Sequence, residues 1–418
     1  MIRHRLDNGI RVVLEPMSSC RSVAFGIWVK TGSRYEPDSW NGVSHFIEHM
    51  LFKGTDRFSA KEIAETFDSI GGNVNAFTTK EYTCYYAKVL DEHLPIAVDV
   101  LADMFFRSRL DETELAKERN VILEEIAMYD DTPDDLVHDL IARAAFGTHP
   151  LGYAVLGTER NLKQLGRGEL LAYIRDHYTS GRIVVAAAGN VDVGRTIELV
   201  ERHFGAHPPD DRNVTSDPPT FQGGTVVHRK QTEQNHLCLA LPGCRLDDPR
   251  YYAVLVLNNA LGGSMSSRLF QEIRERRGLA YSVYSYHTAY TDSGLLTIYA
   301  GTAPRQTAAV LELVLEILSD IRRNGLSQKE WSKAKEQLKG HLLLSLESTS
   351  SRMNRLGKNE LLLGRHEPIE DVLKKIEAVT QHDVHEAAES MFGVQLAAAL
   401  VGPADDALSA YGGRLIVA

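Results

Sequence analysis

Residues 205–224 read GAHPPDDRNVTSDPPTFQGG, a stretch dense in Pro, Asp and Gly with neither a helical nor a strand period. It divides the 418 residues into halves of nearly equal length, and the same order of elements is legible on each side. In the first half the turn Asp7-Asn8-Gly9 signals a hairpin. Strands at Gly9–Glu15 and Ser22–Lys30 lead into helices at 41–53 and 60–70, then Gly71-Gly72 and strands at 73–79 and 82–90. In the second half, strands at 225–230 and 236–241 lead into a helix at 249–261, Gly262-Gly263, a helix at 265–277, and strands at 280–289 and 294–301. Long helical segments follow in each, 111–129 and 135–145, then 306–324 and 328–347, and one late strand, Ile183–Asn190 or Gln395–Gly402. Residue identity between the halves is low, so the repeat is one of pattern. The fold class this predicts is α+β, two tandem homologous domains, each a mixed or antiparallel sheet packed with helices. The expected boundaries are 1–208, a linker at 209–224, and 225–418.

Charge and composition narrow the function. The formal net charge is −10 and no block of basic residues occurs, which argues against nucleic acid and anionic membrane surfaces as partners. A basic peptide would suit this balance, although solubility alone accounts for it. No apolar run reaches membrane-spanning length, and the N-terminus MIRHRLDNGIRVVLEP lacks the apolar stretch of a signal peptide. Cys20, Cys84, Cys238 and Cys244 form no C-x-x-C pair and read as reduced thiols. These features predict a soluble, cytoplasmic protein.

The chemistry is concentrated in Asn41–Gly54. Val43, Phe46, Ile47, Met50 and Leu51 fall at i, i+3, i+4, i+7 and i+8 and form an apolar helix face. Asn41 suits the N-cap and Gly54 the C-terminal stop. His45 and His49 sit one turn apart on another face, so both imidazoles can reach one metal ion. Glu48 shares that face one position away, placed to take a proton from activated water rather than to bind the metal. A catalytic zinc site needs a third protein ligand. The helix at 111–129, opened by Asp111 as N-cap, puts Leu115, Glu118, Ile122, Glu125 and Tyr129 on one stripe. Two acids on a core-facing stripe need a buried partner, which zinc and its histidines would supply. Glu125 is preferred over Glu124, which is turned about 100° away. Glu118 would act behind the ligands or handle protons. Taken alone, both acids also fit a solvated helix face.

With SHFIEHMLFKGT and ERNVILEEI together, the chain resembles the inverzincin peptidases of the pitrilysin/insulinase family. Within that family it is most similar to the mitochondrial processing peptidase β-subunit and its bacterial homologues. The resemblance extends over essentially the whole chain. It implies His45, His49 and Glu125 as ligands of one Zn2+ per chain, Glu125 lying 76 positions after His49. It implies Glu48 and Glu118 as catalytic acids, and a fold in which two such domains make one half of a clam-shell, so that two chains pair, most simply as a homodimer.

The resemblance also implies substrate contacts. Asn75, Ala76 and Phe77 lie on a strand, Asn73–Thr79, that would be a sheet edge near the zinc, open to peptide by β-augmentation; an ordinary core strand is the plainer reading. In FQEIRERRGLAYSVYS, Arg274 would hold a substrate carbonyl and Tyr281 the developing oxyanion; a solvated helix end is the plainer reading for Arg274. The loop GGSMSSRL at 262–269 lacks the G-K-[ST] ending of a phosphate loop. The helix at 249–261 has no H-x-x-E-H, so the second domain is expected to hold no metal. The expected function is a zinc endopeptidase hydrolysing unfolded or short peptides, basic ones included. A non-catalytic scaffold subunit of the same family, or a metal-storage protein that has no need of Glu48, are the alternatives.

Overall fold

The structure, a computed structural model, describes residues 1–212, 214–403, 406–410 and 415–417. Apart from the short last strand, which the sequence reading did not place, its strands fall where apolar patterning and turn residues place them. β1 (Ile2–Arg5) and β2 (Arg11–Pro16) form the opening hairpin. β3 (Ser22–Val29), β4 (Asn73–Thr78), β5 (Thr83–Leu90) and β6 (Ile183–Gly189) complete a sheet of order β1-β2-β6-β3-β5-β4. The second half supplies β7 (Thr225–Arg229), β8 (Asn235–Pro242), β9 (Ala280–Ala289), β10 (Gly294–Thr302), β11 (Gln395–Gly402) and β12 (Leu415–Ile416). Its order is β12-β11-β8-β10-β9, with β7 pairing β11.

The duplication holds at the level of topology. β2-β6-β3-β5-β4 and β7-β11-β8-β10-β9 are the same path, and each contains one parallel pair, β2 with β6 and β7 with β11. Both sheets are therefore mixed, in two α+β units. Each late strand is apolar along its length, IVVAAAG in β6 and LAAALVG after Gln395 in β11, because both its faces are covered. In the first sheet Phe25, Ile27, Tyr85 and Val185 join the main core, while Trp28, Cys84, Val184 and Ala186 pack with Met353, Leu356 and Leu361 of helix Thr349–Leu362. In the second, Leu237, Leu239 and Ile298 face one core, while Cys238, Ala240 and Ala399 face Val137, Ile141 and Ala145 of helix Pro133–Phe146.

Each sheet thus takes its second cover from the other half of the sequence. The compact units are Met1–Ala127, Ala154–Ser216 and Leu344–His366 for unit 1, and Met128–Tyr153, Asp217–Leu343 and Glu367–Ala418 for unit 2. Contiguous boundaries at 208 and 225 do not capture this exchange, although the 205–224 stretch contains no helix or strand among its described residues.

Other differences are local. The segment expected as an α-helix at 265–277 is π-helical over Phe270–Glu275. Helices the sequence reading did not place include Leu94–Arg107, Arg167–His177, Val193–Phe204, Ile369–Ala378 and Gln381–Phe392. All four cysteines are free thiols. No helix among the described residues is long and apolar enough to cross a membrane.

Candidate metal centre

The helix with both histidines runs Val43–Leu51 and buries Val43, Phe46, Ile47, Met50 and Leu51, the expected apolar face. Its start corrects the sequence reading. Gly42, not Asn41, is the N-cap, at φ +99°, where it has no side chain to cap with. A carboxylate six residues back does that work. Glu36 is buried, and the backbone N–H groups of Gly42 and Ser44 each donate to it at 2.8 Å. Asn41 Nδ2 donates to the same carboxylate at 3.0 Å and to the Ala154 carbonyl at 2.9 Å. Burial pushes the Glu36 pKa up and these donors pull it back down, leaving it raised. The hydroxyl of Ser44 bonds Tyr173 at 3.0 Å, which anchors the same turn.

The third group arrives on helix Glu112–Asp130, whose first turn is capped as expected by Asp111, with Thr113 and Glu114 N–H donating to Oδ1 at 2.9 and 3.3 Å. On this helix Leu115, Glu118 and Ile122 are buried and Glu124 is exposed. Glu125 Oε2 lies 3.8 Å from His45 Nε2 and 3.6 Å from His49 Nε2. Ligands on a tetrahedral zinc at its usual bond lengths stand about 3.4 Å apart, so these separations fit one ion. His45, His49 and Glu125 are the group of potential ligands, all within 4.8 Å, that occurs among the described residues.

Protonation agrees with that fit. Burial first, and the neighbouring His49 second, push the His45 imidazole down to about 3, so it is neutral with a lone pair to give. Its Nδ1 is buried without a hydrogen-bond partner among the described residues. The other nitrogen, Nε2, faces Glu125 across 3.8 Å, too far for a hydrogen bond and the right span for a shared cation. His49 Nδ1 is held at 3.1 Å by Glu118 Oε2, and Lys53 Nζ takes Glu118 Oε1 at 2.8 Å. With both oxygens engaged, Glu118 orients His49, which suits the first of its two expected roles.

Glu48 stands on the same helix, and Thr78 Oγ1 donates to its Oε2 at 2.5 Å. Burial raises the Glu48 pKa, and the Thr78 bond offsets that only in part. Thr78 and Glu36 are the functional positions the sequence reading missed; Thr78 closes the strand it had singled out. That strand, β4, pairs with β5 alone among the described residues and is the sheet edge expected of Asn75, Ala76 and Phe77. The N–H of Ala76 bonds the Asn75 side chain at 2.8 Å, and the Phe77 ring packs against Trp28, Tyr82 and Tyr86. Arg274 and Tyr281 lie on unit 2, and the structure brings them together: the guanidinium sits 4.8 Å over the Tyr281 ring and 4.8 Å over Phe270. Tyr281 is exposed.

Comparison with known proteins then fixes the lineage. The family described as Insulinase (Peptidase family M16) matches residues 11–159, and Peptidase M16 inactive domain matches 164–338. A Bacillus subtilis protein named "Uncharacterized zinc protease YmxG" is 52% identical over 96% of this chain and 98% of its own length. The chain belongs to peptidase family M16. A Streptomyces coelicolor M16 relative, "Uncharacterized zinc protease SCO5738", is 43% identical over 97% of this chain and 90% of its own. Two solved structures share the fold. A Helicobacter pylori protease has a TM-score of 0.91 at 22% identity, over 96% of this chain and 99% of that one. A Pseudomonas fluorescens peptidase M16 inactive domain scores 0.90 at 23%, over 97% and 98%. The inactive-domain match falls largely on the half without H-x-x-E-H.

Proposed function

We propose that this M16 chain is a zinc-dependent endopeptidase that cleaves unfolded or short peptides, basic ones included. The observation that carries the reading is the convergence of His45, His49 and Glu125 on one point with Glu48 beside them. The printed names of the zinc-protease relatives support it. When bound there, zinc supplies Lewis-acid polarisation of the scissile carbonyl and acidifies water.

The protein's own residues do the rest. Glu48 takes a proton from the water that attacks the carbonyl carbon and passes it to the departing amine nitrogen. Its raised pKa suits a group that must act as base and then as acid. Thr78 holds the carboxylate in place, and Glu118 holds His49. The peptide would lie along the free edge of β4 at Asn75, Ala76 and Phe77, its backbone taking over the Ala76 N–H from the Asn75 side chain, an arrangement that would not depend on the substrate's side chains. Arg274 and Tyr281 retain the donor roles that the family resemblance implies. A homodimer in the cytoplasm completes the reading; sedimentation of the purified chain tests the first part.

The deciding experiment pairs elemental analysis with cleavage of a quenched basic peptide. About one zinc per chain is expected, with cleavage abolished by chelation. Glu48→Gln should abolish cleavage and keep the zinc. A wild-type chain that holds zinc yet cleaves nothing would return the protein to the scaffold or storage reading, and a Glu48→Gln variant that cleaves at the full rate would remove Glu48 as the base.

A further inference from the structure

The Gly262–Leu269 loop has no part in the metal chemistry, yet unit 2 builds it into one wall of a cleft of about 460 Å3. Ser264, Ser266, Ser267 and Arg268 come from this loop, Gln271 and Glu272 from the π-helical turn after it. The opposite wall is helix Gln328–Ser345, through Lys329, Glu330, Lys333 and Gln337. A volume of this size suits a small-molecule ligand.

Four cations line the cleft against two carboxylates, a local reversal in a chain whose net charge is −10. The arginines are already engaged. Arg268 binds Glu330 and, at 2.5 Å, Asp320, and Arg276 binds Glu272. Lys329 and Lys333, one helical turn apart, are exposed and make no ion pair among the described residues. Ser267 is 2% exposed, and its Oγ has no hydrogen-bond partner among the described residues. Two ammonium groups without an ion pair thus line the same cleft as the Ser267 hydroxyl, which is buried and unsatisfied, while the Ser264 and Ser266 hydroxyls bond each other at 3.2 Å.

We propose that this cleft binds a small phosphate-bearing anion. Lys329 and Lys333 supply the charge, and the hydroxyls of Ser264, Ser266 and Ser267 supply directed hydrogen bonds. The π-helical turn links the cleft to the proposed substrate pair, because Gln271 and Glu272 line it while Arg274, two residues on, stacks over Tyr281. An effect of the anion on peptide KM therefore rests on the peptidase reading; the binding itself does not.

Calorimetric titration of the zinc-loaded full chain with inorganic phosphate and with sodium tripolyphosphate tests it. One saturable site is expected, tighter for tripolyphosphate and weakened by salt. The double variant Lys329→Ala/Lys333→Ala should bind about ten-fold or more weakly, and Ser267→Ala should also weaken binding, with melting temperature and zinc content unchanged. No saturable heat at low salt, or equal affinity in the double variant, overturns the proposal. Metal stripping by tripolyphosphate would give the same heat in both proteins and so counts against it. Because the readout is binding, a failed Glu48→Gln test leaves this result standing, and the reverse holds too.

Discussion

Replacing Glu36 by Gln should loosen the metal helix without touching the metal. The carboxylate serves three donors, Gly42 N and Ser44 N at 2.8 Å and Asn41 Nδ2 at 3.0 Å. One oxygen takes the Gly42 and Asn41 donors and the other takes Ser44. A glutamine keeps one oxygen and turns an NH2 group on the remaining donor. The loss is one charged hydrogen bond, about 1.5–3 kcal/mol, plus a stranded buried N–H at about 1–3 kcal/mol. Relief from burying a charge, visible in the raised Glu36 pKa, works the other way. The net cost is then about 2–3 kcal/mol. Unit 1 holds roughly 200 residues, and for that size each kcal/mol lowers the melting temperature by about 2–4 °C. Scanning calorimetry should therefore show a fall of about 4–12 °C, with weaker zinc retention against a chelator. A variant that melts within roughly 1 °C of the wild type and keeps its zinc affinity refutes the reasoning.

Other outcomes follow from the same geometry. Glu118→Gln should lower zinc affinity by about 10–100-fold in chelator competition, because His49 loses a charged partner on Nδ1; unchanged affinity would remove its orienting role. Gly357→Ala would drive a methyl group into the Trp28 indole, so a loss of about 1–3 kcal/mol and an altered tryptophan spectrum are expected; a silent substitution would show that the packing between Gly357 and Trp28 is wrong. Glu360 gives the pH prediction. Burial pushes its pKa up, but His366, Arg3 and Arg11 outweigh that and bring it from 4.5 down to about 2. A folded pKa below the unfolded one stabilises above the unfolded value and is lost as pH falls. Wild-type stability should therefore drop between about 4.5 and 2 more steeply than that of Glu360→Gln, and parallel acid titrations would refute the ion cluster.

The metal centre was legible because helical period three and four is geometry as much as pattern. His45, His49, Glu118 and Glu125 could be placed on facing stripes before any coordinates. Glu36 was not, since its partner N–H groups are six and eight residues on, beyond any local cap signal, and Asn41 offered the more familiar answer. The strands were legible from alternation, and so was the duplication. The π-helical turn was hidden because Leu269 and Ile273, both buried, are spaced as an α-helix would also space them. The exchange was hidden for another reason: helix 133–146 was placed, at 135–145, and helix 349–362 was not, but in either case amphipathic period shows that a face is covered, not which sheet covers it.

That exchange sets a timetable for the newborn chain. When residue 216 leaves the ribosome, every strand of the first sheet exists, but Trp28, Val184 and Ala186 still lack the helix at 349–362 that seals them. At usual elongation rates the missing segment arrives roughly 10–30 s later. Through that interval an apolar sheet face stands open on the ribosome, so the amino-terminal unit completes its folding only after most of its partner has been translated.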